Sequence, residues 1–243
     1  PSRTFSEVVS AFDSKYMLGL SATPWRRDGL SRLIYWYLGD RVHEVDKNQL
    51  QADGHILKAE VVQRKTDFRT HLDASQEYSR VLSELTQDPA RNALIAGDVM
   101  REAGNGGGVC LVLSDRRDHC RIIQAMLTKK GAPSQLLTGD LSKSQRQAVV
   151  DDLNRGHVKI LVATGQLIGE GFDCKGLSTL FLTTPIRFSG RVLQYLGRVL
   201  RPAPGKEKAK VIDYLDMNVG VLRASGKVRQ EVLLGQGGGI QFD

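Results

Sequence analysis

The stretch from Gln194 to Arg201 reads Gln-Tyr-Leu-Gly-Arg-Val-Leu-Arg and places two arginines where they could act on a phosphate group. At helical spacing Gln194, Arg198 and Arg201 fall on one face, and Gly197 leaves room beside them for a close approach. A guanidinium carries a permanent charge and a planar fork of donors that matches phosphate oxygens. The apolar residues on the other side are Leu193, Leu196, Val199 and Leu200. An ordinary amphipathic helix with a solvated basic face is the alternative interpretation.

Hydroxyl, glycine and basic residues follow several short apolar runs. Thr138 and Thr164 could donate hydroxyls to backbone phosphates, and Gly139 and Gly165 would let that backbone come near. Arg116 follows the apolar run 109–113, and Lys143 lies in the helical pattern after Thr138. Both add positive charge. Helix capping and turn formation explain Thr-Gly-Asp sequences equally well, so these residues alone leave both interpretations open.

Asp173 closes the segment Gly169-Glu170-Gly171-Phe172-Asp173. Its carboxylate could accept a hydrogen bond from a ribose hydroxyl, and a turn carboxylate is the alternative. No segment of the chain has the phosphate-loop pattern G-x-x-x-x-G-K-[ST]; Gly205-Lys206-Glu207 lacks both the leading glycine and the hydroxyl. His119 and Cys120 are adjacent, and neighbours on a helix do not face each other, so no metal site is expected.

The composition of the chain limits the kinds of partner and compartment that are expected. The 243 residues carry a formal net charge of +7, which favours a polyanionic partner without requiring one. Three cysteines without metal-ligand spacing suit a reducing compartment. No apolar run approaches the length of a membrane span, and no leader pattern opens the chain. We therefore expect a protein that is not secreted, located in the cytoplasm of a bacterium or phage host or in a eukaryotic nucleus.

Apolar runs alternate with helical patterns along most of the chain, and this alternation predicts an α/β fold with a parallel sheet covered by helices on both faces. A helix-rich stretch is predicted over 74–103, interrupted near Asp88-Pro89. The predicted strands cover residues 16–20, 55–65, 109–113, 135–137, 160–163, 180–182 and 210–212. The predicted later helices cover residues 116–130 and 142–154, followed by the arginine helix. In such a sheet, ligands bind where strands end and helices begin. The segments that follow 109–113, 135–137 and 160–163, the last of them ending at Asp173, are therefore expected to lie at the carboxyl-terminal edge of the sheet.

Taken together, these segments resemble the motifs of superfamily 2 helicases. Ser21-Ala22-Thr23 is similar to motif III, 109–115 to motif IV, 163–173 to motif V, and 194–201 to the motif VI pattern Q-x-x-G-R-x-x-R. Four motifs in the family's order make the resemblance specific. Residues 18–29, Leu-Gly-Leu-Ser-Ala-Thr-Pro-Trp-Arg-Arg-Asp-Gly, are similar to the XPB/UvsW-like branch, which acts on DNA.

The resemblance implies a RecA-like fold and a role for each candidate residue. Arg198 and Arg201 would be arginine fingers acting on ATP, while Gln194, Asp173 and Gly171 would bind the nucleotide. Ser21, Ala22 and Thr23 would couple ATP hydrolysis to movement. The nucleic-acid backbone would be held by Thr138, Gly139, Thr164, Arg116 and Lys143.

The resemblance also predicts the domain organisation. Residues 1–45 would be the C-terminal remnant of a first RecA-like domain, 46–235 a second RecA-like domain, and 236–243 a flexible tail. The phosphate loop and the Asp-Glu box that binds Mg²⁺ would lie in a preceding half, which is also the expected partner of this chain besides DNA, with RNA less favoured. The chain alone is then expected to be inactive. The alternative is a RecA-like module that binds nucleic acid or protein and has no catalytic role.

Overall fold

The computed structural model describes residues 3–21, 24, 29–105, 108–169, 172–174, 176–186, 189–235 and 240–242. The chain divides into two compact units, Pro1–Lys47 and Asn48–Asp243. Sequence analysis places the boundary at residue 45, two residues earlier. Each unit has its own internal contacts and is described by itself.

The first unit contains the short helices α1 (Arg3–Ser10) and α2 (Arg32–Leu38) among its described residues, and α3 (Lys47–Ala52) begins at its end. The strand predicted over residues 16–20 was wrong. Tyr16, Leu18 and Leu20 lie in irregular backbone and are 80–86% exposed. A strand needs a neighbour for its backbone hydrogen bonds, and the described part of this unit offers none.

The second unit contains the regular alternation that the sequence predicts. Its strands are β1 (Ala59–Lys65), β2 (Val109–Ser114), β3 (Gln135–Leu137), β4 (Ile160–Thr164), β5 (Leu177–Leu182), β6 (Ala209–Leu215) and β7 (Ile240–Phe242). Its helices after α3 are α4 (Tyr78–Gln87), α5 (Pro89–Asn105), α6 (Arg117–Lys129), α7 (Lys143–Asn154), α8 (Gly165–Gly169), α9 (Ser189–Val199) and α10 (Gly220–Leu234). The interruption predicted near Asp88-Pro89 is the boundary between α4 and α5, while α10 and β7 were not predicted.

The seven strands found among the described residues form one sheet in the order β3-β4-β2-β5-β6-β1-β7, and each of their pairings is parallel. Parallel neighbours require crossovers, which the helices supply. The α/β fold with a parallel sheet is therefore confirmed. The tail predicted to be flexible contains β7, which pairs with Val61–Gln63 of β1, so the prediction was wrong for residues 240–242. Pairing with an edge strand satisfies backbone groups that would otherwise face solvent.

Helices cover both faces of the sheet. Alternate residues of a strand point to opposite faces, so Cys110 and Val112 of β2 belong to one apolar cluster and Leu111 and Leu113 to another. The first cluster contains residues of α5 and α6, and the second residues of α7, α8 and α9. Burial on both faces explains why these strands read as continuous apolar runs.

Two buried ion pairs attach helices to β6 and to the loop after it. Arg229 of α10 donates to Asp213 at 2.8 Å, and both side chains are at most 2% exposed. Arg91 of α5 donates to Asp216 at 2.8 Å, and Asp216 also accepts from the Thr66 hydroxyl. A buried charge is tolerated only when it is paired and hydrogen-bonded, so these pairs fix how the two helices dock on the sheet.

Candidate nucleotide and nucleic-acid sites

Helix α9 carries the arginines and docks on the sheet by its apolar side. Val192, Tyr195, Leu196, Val199 and Leu200 are buried, whereas Gln194 and Gly197 are exposed. The predicted apolar arc is therefore confirmed, although Leu193 is only half-buried. The helix ends at Val199, so Arg201 lies just beyond it and not on its last turn. Pro202 explains the early end, because a proline disfavours helical backbone in the residue before it.

The two arginines meet the segment that contains Asp173. Arg201 Nη1 donates to Asp173 Oδ1 at 2.9 Å, and Arg198 donates to the carbonyl oxygen of Phe172. Motif V and motif VI therefore come together, as their assignment to one site predicts. The side chains of Arg201 and Asp173 are 53% and 60% exposed, so this cluster is open to a ligand.

Two guanidinium groups lie beside the carboxylate of Asp173. Burial lowers the pKa of the Arg198 guanidinium, and the like charge of Arg201 lowers it further, while Asp173 acts in the opposite direction. An approaching anion would be attracted to the two guanidinium groups. We call Arg198, Arg201 and Asp173 the arginine cluster.

Gly197 lies beside the arginine cluster without a structural need for glycine. A Cβ at this position would meet nothing within 4 Å, and its backbone does not have a positive φ. Glycine inside a helix is less favourable than alanine by about 1 kcal/mol. The missing side chain at Gly197 leaves space for a ligand to approach the helix backbone.

The arginine cluster lies at the amino-terminal edge of the sheet. Asp173 lies four residues before β5 begins, and Leu57, just before β1, donates its N–H to the carbonyl oxygen of Leu200 at 2.8 Å. Asp173 was predicted to lie with the loops at the carboxyl-terminal edge, and this prediction was wrong. The chain that leaves β4 must return across the sheet before it can enter β5 as a parallel strand, and α8 begins this return.

The predicted nucleic-acid residues lie at the opposite, carboxyl-terminal edge. β3, β4 and β2 are neighbours in the sheet, and their ends are in register: Leu137 pairs with Ala163, and Ser114 with Thr164. The loops that start at Thr138, Thr164 and Asp115 therefore lie side by side. Separate segments of the sequence form one surface, which we call the loop edge.

The Thr138–Leu141 turn at the loop edge is held by three arginines. Asp140 accepts from Arg117 at 2.5 Å and from Arg121 at 2.8 Å. Arg146 donates to the carbonyl oxygens of Leu141 at 3.0 Å and Gly139 at 3.3 Å. No role was predicted for these three arginines, and the signal that could have identified one is their spacing around the acidic residue of Thr-Gly-Asp.

Within this turn Gly139 is exposed, and a Cβ there would meet nothing within 4 Å. Thr138 is buried, so its backbone is better placed than its hydroxyl to reach a ligand. The helix that follows is capped by Ser142, which forms a capping box with Gln145. Capping is therefore not the role of Thr138.

The other loop-edge residues differ in exposure. Lys143 is exposed at the start of α7, and Thr164 is half-buried at the end of β4. Arg116 is half-buried and donates from Nη2 to Ser79 of α4 at 3.2 Å. The loop after β2 thus contacts α4 through this hydrogen bond. One donor of Arg116 is occupied by Ser79, and the others can bind a ligand.

A buried histidine supports the backbone of Arg116. The Arg116 N–H donates to the Ser114 hydroxyl at 3.1 Å, which lies 3.0 Å from His119 Nδ1. His119 Nε2 lies 2.9 Å from Asn92 Oδ1, an acceptor, so the proton is on Nε2. Burial, together with the charge of Arg91, lowers the pKa of His119 to about 3 and keeps the ring neutral.

Helix α9 connects the two edges. Near its start Arg191 lies 3.7 Å from the carboxylate of Asp115, and its end carries the arginine cluster. Tyr195 lies in between and packs on Gly165: a Cβ at Gly165 would be 2.1 Å from the Tyr195 hydroxyl oxygen. Packing against Tyr195, rather than a bound phosphate, therefore explains this glycine. Burial and the charge of Asp115 raise the pKa of the Tyr195 hydroxyl to about 12.

The remaining candidates belong to the first unit or lie outside the described residues. Ser21 is exposed, whereas Ala22, Thr23 and Gly171 lie outside the described residues.

Within the described ranges, no group of three or more His, Cys, Asp and Glu side chains could hold a metal ion. In the same ranges, the structure has no helix long and apolar enough to span a membrane.

Comparison with known proteins identifies the domain that contains both sites. Residues 90–203 match the helicase conserved C-terminal domain. This part of the chain is similar to the C-terminal domain of superfamily 2 helicases. The chain is 26% identical over 251 residues to a candidate ATP-dependent RNA helicase of Acanthamoeba polyphaga mimivirus, with 98% of this chain and 46% of that protein covered. It is 22% identical to the ATP-dependent DNA helicase UvsW of Enterobacteria phage T4, with 94% of this chain and 46% of that protein covered.

Solved structures agree on the fold. A fragment of a candidate HsdR subunit of a type I restriction enzyme from Vibrio vulnificus superposes with a TM-score of 0.73 at 18% identity, covering 99% of this chain and 46% of that one. The RecA-like fold of helicase C-terminal domains is thus confirmed. The chain spans about half the length of these relatives.

Proposed function

We propose that this chain is the C-terminal part of an ATP-dependent DNA helicase or translocase. In this proposal the arginine cluster acts on ATP, and the loop edge holds the DNA backbone. The observation that carries the proposal is that one helix, α9, contacts the loop edge near its start and bears the arginine cluster at its end.

The arginine cluster fits a nucleotide polyphosphate. Arg198 and Arg201 lie together beside Asp173, and Gly197 leaves the helix backbone open beside them. ATP, when bound, supplies the phosphoanhydride bond whose cleavage drives movement. The two guanidinium groups would bind its phosphates as bidentate donors, Asp173 would accept from a ribose hydroxyl, and Gln194 would donate from the same exposed side. Gly171 is assigned to the nucleotide by its motif alone.

The loop edge fits a nucleic-acid backbone. Gly139 and Lys143 are exposed, Thr164 and Arg116 are half-buried, and the turn at Thr138 is fixed by ion pairs to α6. These groups address phosphate and sugar, so they would bind without reading the base sequence. DNA is proposed over RNA because residues 18–29 resemble the branch that acts on DNA and because UvsW is named as a DNA helicase.

Rigid coupling through α9 would join the two activities. Its 11 residues span about 16 Å, enough to reach from one edge of the sheet toward the other. Closure on a nucleotide at one end would then shift the segments that contain Asp115 and Gly165 at the other. Ser21, Ala22 and Thr23 would transmit the same movement within the first unit.

A preceding RecA-like domain would complete the site. It would supply the phosphate loop and the carboxylates that hold Mg²⁺, neither of which occurs in this sequence. Exposed apolar side chains are concentrated in the first unit, where Phe12, Leu18 and Trp36 are 64–80% exposed, and exposure of many apolar side chains is typical of a segment that another domain covers. We infer that residues 1–45 belong to that domain.

The test is ATP hydrolysis by the full-length protein, measured without nucleic acid, with homopolymer DNA and with homopolymer RNA. Stimulation by DNA is expected, together with no turnover by the 243-residue chain alone. Stimulation by RNA only would change the assigned substrate. A full-length protein that binds DNA but hydrolyses no ATP would contradict the proposal and favour a binding module.

A further inference from the structure

Lys206 belongs to a tight turn that the sequence itself specifies. Ala203-Pro204-Gly205-Lys206 has proline and glycine at its two central positions, the preference of a type II turn. Gly205 has a φ of +74°, and the Lys206 N–H donates to the carbonyl oxygen of Ala203 at 3.0 Å. The turn reverses the chain just after α9, so the Lys206 side chain points back to the end of that helix.

There the Lys206 ammonium binds the free carbonyls of the helix end. Its Nζ donates to the carbonyl oxygen of Arg201 at 2.7 Å and to that of Val199. The last carbonyls of a helix have no partner within it, and a positive charge is favoured beside them. Because the Leu57 N–H binds the carbonyl oxygen of Leu200, three consecutive carbonyls after Arg198 are satisfied by groups outside the helix.

These contacts bear directly on the arginine cluster. Lys206 binds the main chain of Arg201, whose side chain binds Asp173 at 2.9 Å. Burial lowers the pKa of Lys206 to about 8, and the nearby Cys174 acts in the opposite direction. A partly buried amine that replaces water with two carbonyl oxygens restricts the last turn more than an exposed one would.

We propose that Lys206 is a positioning residue for Arg201: by closing the C-terminal end of α9 it holds the Arg201 main chain where the guanidinium meets Asp173 and an incoming phosphate. The proposal rests on the proposed function of the arginine cluster. Lys206 does not touch the nucleotide in this arrangement and acts through Arg201.

The test compares Lys206→Met and Lys206→Arg in the full-length protein, with ATP turnover measured at saturating DNA. Lys206→Met is expected to lower kcat about 10-fold to 100-fold, the effect of misplacing a group by roughly 1 Å, while KM for ATP stays within about twofold. Lys206→Arg keeps a cation at the helix end and should retain most of the turnover. The matched control is Lys208→Met, because Lys208 is exposed in the same segment. Wild-type kcat in Lys206→Met would overturn the proposal.

A double-mutant comparison separates positioning from a general loss of stability. In an Arg201→Lys background, Lys206→Met should change kcat by less than about twofold, since both substitutions remove the same interaction. Independent, multiplicative losses would overturn the proposal. If Arg198→Ala and Arg201→Ala both leave turnover unchanged, the proposed function itself fails, and that result is distinct from a failure of Lys206 alone.

Hydrogen exchange in the 243-residue chain provides a readout that needs no activity. Lys206→Met should accelerate exchange of the backbone amides at the end of α9 and leave α7 unchanged. Unchanged exchange at the end of α9 would overturn the proposal whatever the kinetics show.

Discussion

Arg201 and Asp173 are 28 residues apart in sequence, and an ion pair of 2.9 Å joins them. The pair connects the segment before β5 with the chain just beyond α9, at the amino-terminal edge of the sheet. Both side chains are more than half exposed, so the pair by itself contributes little stability. Its significance is geometric, because it holds a guanidinium and a carboxylate where one ligand can meet both.

The arginine cluster can be tested by substitution in the full-length protein. Arg198→Ala or Arg201→Ala is expected to lower kcat for ATP on the order of 10³-fold, as the loss of an arginine finger does. Arg198→Lys should rescue poorly, because an ammonium lacks the bidentate fork. DNA binding without nucleotide should persist, and Arg223→Ala, an exposed arginine on α10, is the matched control. Near-normal turnover in both alanine variants would identify the helix as an ordinary solvated face.

The loop edge predicts binding that depends on salt and not on base sequence. Affinity for single strands should fall with a log–log slope of about −0.7 for each phosphate neutralised. Lys143→Ala or Arg116→Ala should reduce that slope by roughly one unit, whereas Thr164→Ala should weaken binding with the slope nearly unchanged. Fluorescence anisotropy with homopolymer and mixed-sequence oligonucleotides measures this. Lys129→Ala is the control, since Lys129 is exposed at the other end of α6. A clear preference for one sequence contradicts the prediction.

His119 predicts how stability changes with pH. Its pKa is about 3 in the folded protein and about 6.5 in the unfolded chain, which therefore binds a proton that the folded protein does not bind in this window. The free energy of unfolding should fall as the pH drops from about 6.5 toward 3. At pH 5 protonation of this residue in the unfolded chain should have lowered that free energy by about 2 kcal/mol. Urea unfolding at pH 7 and pH 5 tests this. His119→Gln should lose less stability on acidification than wild type, while the exposed His157→Gln should behave as wild type; equal losses in all three would refute the assignment.

The buried pair between α10 and β6 predicts a large single-variant effect. Arg229→Ala leaves Asp213 buried without its cation and should lower the free energy of unfolding by about 3–5 kcal/mol. Arg229→Met combined with Asp213→Leu removes both charges and should destabilise much less than the single change. Urea unfolding of the two variants beside Arg223→Ala measures the difference. A double variant less stable than Arg229→Ala would show that the polar pair is required beyond charge compensation.

Several features follow from the sequence because their causes are local. The apolar runs of β2, β4 and β6 and the periodicity of α6, α7 and α9 appear close to where the pattern predicts them. A parallel sheet also implies that the carboxyl ends of β2, β3 and β4 share one edge, while the observed strand pairing places Thr138 beside Thr164. The spacing of Arg198 and Arg201, with the motifs around it, was enough to indicate a phosphate-binding site in a helicase-like chain.

The tertiary structure decided matters that depend on distant segments. A strand at residues 16–20 needs a neighbouring strand, which the pattern cannot supply, and Asp173 moves to the amino-terminal edge because a parallel crossover must return across the sheet. Lys206 showed only a failed phosphate-loop pattern in the sequence, yet folding brings its ammonium to the carbonyl oxygens of Val199 and Arg201. Local residue types determine which elements form, and long-range packing determines which side chains meet.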